Sequence, residues 1–77
     1  MEAGFMIDYS PFWETLEHSQ ENRYTLTSRH HLSHSTLHRL KHNMDVSTRM
    51  LNDLCRILNC DIKDLVKYVP SSDDQPL

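Results

Sequence analysis

Between Met50 and Leu58 the apolar residues fall at Met50, Leu51, Leu54, Cys55, Ile57 and Leu58, a spacing that gives a helix one wide apolar face. A chain of 77 residues has no second domain to cover such a face, so its other elements must gather on it and form one thin core. The pattern predicts a helix capped by Ser47 or Thr48 and makes it the buried spine of an all-α domain. No stretch alternates with period two for long enough to predict a strand.

The remaining elements follow from caps and apolar spacing. Ser10-Pro11 reads as an N-cap followed by proline at the first helical position, with Tyr9, Phe12, Trp13 and Leu16 on one inward face of a short helix ending near Ser19. Asn22 is the candidate cap of a second helix through His30. Its threonines and serine are mediocre helix formers, so packing of Tyr24 or Leu26 must help to hold it. His31-Leu32-Ser33 forms a tight turn. Ser33 then caps a helix over about 33–42, in which Leu37 and Leu40 face the core and Asn43 closes the end in the left-handed conformation. Asp61, with Asp64 three residues on, starts a last helix that turns Ile62, Leu65, Val66 and Val69 inward and stops at Pro70. Residues 1–7 carry little signal, and the acidic residues 71–77 are expected to be disordered.

Charge divides the chain at Arg23 and again at Met44, beyond which both signs are mixed. From Arg23 to Met44 there is no Asp or Glu, while Arg23, Arg29, Arg39 and Lys41 are fixed cations and five histidines accompany them. The preceding segment has Glu2, Asp8, Glu14, Glu17 and Glu21 and no Lys or Arg. A formal net charge of −3 therefore conceals a basic stretch suited to a polyanion. No apolar run is long enough to span a membrane, and the amino-terminal residues do not resemble a signal peptide, so the expected location is the cytoplasm.

Two smaller features have plain expectations. Cys55 and Cys60 are read as reduced, small apolar side chains. His34, His38 and His42 lie at i, i+4, i+8 and share a helix face, but no acid or cysteine near them completes a zinc site, and no metal is expected. The same histidines can add charge to the basic stretch, which predicts affinity for a polyanion rising as pH falls from about 8 to 6.

Taken together, Leu32-Ser33-x-Ser35-Thr36-Leu37-x-Arg39-Leu40, Val46-Ser47-Thr48, and Leu51-x-x-Leu54-Cys55-x-x-Leu58-x-Cys60-Asp61-Ile62-x-Asp64-Leu65-Val66 resemble the Cro and phage-repressor-like, or XRE-type, helix-turn-helix family. The resemblance spans residues 7–70. It implies a five-helix, lambda-repressor-like domain that binds operator DNA, usually as a homodimer, and regulates transcription without cofactor, small-molecule substrate or catalysis. Carried over by position, the base-reading residues are His34, Ser35, His38 and Arg39. Arg39 is chemically the best of these, because its guanidinium can donate two hydrogen bonds to a guanine edge. The phosphate contacts are Asn22, Arg23, Ser33, Lys41 and Asn43. One departure concerns the turn, where the family usually carries glycine and this chain has His30 or His31; either one of them takes positive φ or the turn is rebuilt. Nothing in the chain forms a phosphate loop or a catalytic triad. The alternative reading is a protein-interaction or antitoxin-like regulatory subunit whose acidic face binds a basic partner.

Overall fold

The computed structural model describes residues 7–70, and four helices lie within them: α1 (Ser10–Glu17), α2 (Arg23–Ser28), α3 (His34–Lys41) and α4 (Thr48–Leu58). Three of them begin on a short polar side chain that serves the free amides of the first turn. Asn22 Oδ1 accepts from the Thr25 amide at 2.9 Å, and Thr25 Oγ1 accepts in return from the Asn22 amide at 2.8 Å. Ser33 Oγ accepts from the Thr36 amide at 3.1 Å, and Ser47 Oγ accepts from the Met50 amide at 3.0 Å. At α1 the expected cap is displaced. Tyr9, not Ser10, occupies the N-cap position and contributes no side-chain bond. Asp8 instead accepts from the Ser10 amide at 2.9 Å, which leaves Ser10 free to be the first helical residue.

The ends of α3 and α4 use one device. The Met44 amide donates to the Arg39 carbonyl at 2.8 Å around Asn43 at φ 55°, and the Cys60 amide donates to the Cys55 carbonyl at 3.0 Å around Asn59 at φ 53°. These are Schellman closures with asparagine in the left-handed place that glycine most often fills. In the turn between α2 and α3 it is His31 that takes positive φ, at 61°. A side chain with a Cβ in that region costs about 1 kcal/mol.

Tyr9, Phe12, Leu16, Leu26, Leu32, Leu37, Leu40, Leu54, Leu58 and Leu65 form one buried cluster. Each such side chain contributes roughly 1.5–3 kcal/mol of burial. The spine is less deeply covered than its sequence implies. Leu54 and Leu58 are buried, while Met50, Leu51, Cys55 and Ile57 are only half-buried against the cluster. Of the two residues expected to hold α2, Leu26 does so and Tyr24 stands 75% exposed.

The fifth helix does not form. Asp61 and Asp64 do make their reciprocal cap, but only a single 3-10 turn follows, over Ile62–Asp64. Helix α1 takes the carbonyls that a longer helix would need. The Thr15 hydroxyl donates to the Asp64 carbonyl at 2.7 Å, and the Phe12 amide donates to the Leu65 carbonyl at 3.1 Å. Ile62 is consequently 48% exposed rather than inward, and Val69 is exposed as well. The chain then extends into a short antiparallel ladder, β1 (Ile7–Asp8) with β2 (Lys67–Tyr68), in the register Ile7↔Tyr68 and Asp8↔Lys67. Two residues per strand are too few for a period-two pattern to register in sequence. The expectation for residues 71–77, and for 1–6 of the amino-terminal segment, lies outside the described residues.

Candidate nucleic-acid interface

Helix α3 presents two chemically distinct faces. Thr36, Leu37 and Leu40 are buried, and the Ser33 hydroxyl lies 2.9 Å from that of Thr36, so the buried threonine keeps a polar partner. The other helical residues, His34, Ser35, His38, Arg39 and Lys41, are exposed, as is His42 just beyond. Every one of them can donate a hydrogen bond and none is acidic. The rings of His38 and His42, one turn apart, lie 4.4 Å apart centre to centre. Among the described residues no three His, Cys, Asp or Glu side chains are placed to hold a metal ion.

The basic stretch is distributed unevenly in three dimensions. Arg29 lies 3.8 Å from the Glu21 carboxylate, and His30 Nε2 lies 3.3 Å from the same oxygen. Glu21 Oε1 has no hydrogen-bond partner among the described residues. The nearby Thr25 hydroxyl, against the raising effect of burial and with His30 and Arg29 adding, holds the Glu21 carboxyl below its ordinary range. An acid just ahead of the acid-free interval therefore folds back on one of its arginines and one of its histidines. Arg39 and Lys41 make no ion pair among the described residues. Arg39 borders an open groove of about 380 Å³ that it shares with Thr36, Asp45, Val46, Ser47 and Met50, so one carboxylate does border the outward face of α3.

The five residues expected at phosphates are placed differently from one another. Asn22 and Ser33 are exposed helix caps, at the start of α2 and of α3. Lys41 is exposed on the last turn of α3. The Arg23 guanidinium rests over the Trp13 ring, 5.4 Å from its centre. Asn43 is half-buried and its Oδ1 accepts from the Tyr9 amide at 2.9 Å, a bond between segments 34 positions apart. Burial raises the Tyr9 phenol, a bond with the Val46 backbone offsets part of this, and the Asp45 carboxylate adds to the rise.

Sequence reasoning placed Trp13 in the core and so missed what its polar edge does. It is only half-buried, and Nε1–H donates to the Leu40 carbonyl in the last turn of α3 at 3.4 Å. The signal available was the indole itself, since a tryptophan near a core brings an N–H that needs a partner.

The sequence model of the Cro/C1-type helix-turn-helix DNA-binding domain matches residues 12–71. In three dimensions the chain is similar to the transcriptional regulator VanUg, with a TM-score of 0.76, 28% sequence identity, and coverage of 91% of this chain and 93% of that one. No curated protein matches the chain. The capped helices α2 and α3, the turn between them and a family match over most of the sequence agree, and the chain belongs to the Cro/C1-type helix-turn-helix DNA-binding domain family.

Proposed function

We propose that the protein is a sequence-specific, duplex-DNA-binding transcriptional regulator in which α3 enters the major groove. The observation that carries this reading is the outward face of α3, a run of exposed donors with the apolar residues withdrawn beneath it. His34, Ser35, His38 and Arg39 read base edges, with Arg39 donating in a fork to guanine. Asn22, Arg23, Ser33 and Lys41 fix the register on the phosphates, and Asn43, whose amide nitrogen has no partner among the described residues, contributes at the end of α3. The protein acts without cofactor and without catalysis, in the compartment that holds the DNA. As a homodimer it would place two α3 helices about 34 Å apart, in successive major grooves. The surface best suited to that contact gathers Ile7, Met44, Tyr68 and Val69, exposed apolar residues on and near the ladder.

Selection of binding sites from a random duplex pool, with the native protein and Arg39→Ala in parallel, tests the reading. A palindromic motif is expected, and Arg39→Ala should lose about 5- to 150-fold in affinity for it, the equivalent of roughly 1–3 kcal/mol. If no motif emerges even at low salt, the fold serves protein interaction and the antitoxin-like reading takes its place.

A further inference from the structure

The two halves of the helix-turn-helix meet on one side chain that lies outside it. Trp13, on α1, has its ring beneath the Arg23 guanidinium at the first position of α2. Its Nε1–H reaches the Leu40 carbonyl in the last turn of α3. The ring is itself set by an edge-on contact with Phe12, 4.7 Å between centres, and Phe12 is fully buried. We propose that Trp13 is a positioning residue for DNA binding, which presents Arg23 to a phosphate at the start of α2 while holding the end of α3 at a set distance from it. The inference rests on the DNA-binding reading above and deepens it.

The physical argument concerns what a free arginine would do in that position. Arg23 is exposed on a helix of six residues, where a long side chain samples many rotamers and must lose that freedom to grip a phosphate. Over an aromatic face the guanidinium is attracted by the ring quadrupole and confined, yet its N–H groups remain free at the perimeter to donate to an anion. The cation is thus preorganised without being neutralised. Glu21 turns to Arg29 and His30, and Glu17, which borders the same groove as Trp13 and Arg23, forms no ion pair with Arg23 among the described residues. Helix α3 is held a second time through Asn43 and the Tyr9 amide. Loss of the Trp13 contact should therefore loosen its placement without detaching it.

The test uses the full chain and a short mixed-sequence DNA duplex, with affinity measured as a function of salt for the native protein, Trp13→Phe, Trp13→Leu, Arg23→Gln and the Trp13→Leu/Arg23→Gln double variant. Arg23→Gln should weaken binding roughly 2- to 5-fold and make the slope of log K against log salt shallower by about 0.9, the value of one phosphate contact. Trp13→Leu should reproduce that change in slope, Trp13→Phe should fall between, and the double variant should be no worse than the poorer single. Thermal melts accompany each variant, and Trp13→Phe with Arg23→Gln keeps the test valid if Trp13→Leu fails to fold. A Trp13→Phe protein that melts lower but keeps the native affinity and slope would overturn the proposal, as would losses that simply add.

A second readout needs no DNA. Trp13 is the one tryptophan of the chain, so Arg23→Gln should shift its fluorescence, and an unchanged spectrum would remove the contact on which the proposal stands. If the native protein binds no duplex at any salt, the DNA reading falls and this inference with it. The fluorescence result would still separate that outcome from a missing Arg23–Trp13 contact.

Discussion

Helices α3 and α4 end on the same backbone motif with the same residue type in the left-handed position, yet the two asparagines serve different parts of the molecule. Asn59 is exposed, and its side chain has no bonded partner among the described residues, so it answers to its own helix alone. Asn43 is half-buried and accepts the amide of Tyr9 across 34 positions of sequence, so that α1 is fastened to the helix that carries the candidate interface. Local geometry accounts for an asparagine in both places. Only the fold distinguishes a stop signal from a tie between elements.

Substitution separates the two cases. Asn43→Ala is expected to cost about 2–3 kcal/mol, because it strands the Tyr9 amide and also forces a Cβ into the left-handed region without asparagine's tolerance of it. At Asn59 the same change should cost only about 1 kcal/mol. Denaturant unfolding of the two proteins side by side is the measurement, and equal losses would mean that the Tyr9 bond contributes nothing. Glycine makes the contrast one of sign. Asn43→Gly should still lose about 1–2 kcal/mol, since it eases the backbone but drops the bond. Asn59→Gly and His31→Gly should each gain roughly 0.5–1 kcal/mol, because at both positions glycine relieves the left-handed residue and no described side-chain tie of the Asn43 kind is lost.

The smallest expected effect is one of pH, at the α4 end. Burial, with Cys55 and Asp64 nearby, pushes the Cys60 thiol up to about 11 from its ordinary value near 9. A folded-state value above the unfolded one means that the contribution is complete below pH 9 and is lost as pH rises through about 11. Tyr9, also raised, acts with the same sign in that range. Melting temperature should therefore fall between pH 9 and 11, less steeply in Cys60→Ala.

The elements that could be read from sequence are those whose causes are local. The caps at Asn22, Ser33, Ser47 and Asp61 sit where hydroxyl, amide and carboxylate chemistry put them, and Leu37 with Leu40 turned inward as their spacing required. The missing glycine of the turn also declared itself, although choosing His31 over His30 needed the backbone. What sequence could not supply were partners at long range. The carbonyls of Asp64 and Leu65 look available for another helical turn until α1 is seen to occupy them. Tyr24 and Leu26 were both candidates to hold α2, and only its packing decides which is buried. In the candidate interface, the donor-rich face of α3 was evident from composition. The pairing of Glu21 with Arg29 and His30, and the double use of Trp13, were not, because each joins residues of separate elements or turns.

The short ladder has a kinetic meaning apart from its place in the architecture. By pairing position 7 with position 68 it closes a loop that contains all four helices, and the entropy of closing a loop grows with its length while two residues per strand return few contacts. Those hydrogen bonds should be the last to form in folding and the first to open in the native state. In hydrogen exchange the amides of the ladder are then expected to lose protection well before those of α3. The domain would loosen at its seam while the candidate interface stays assembled.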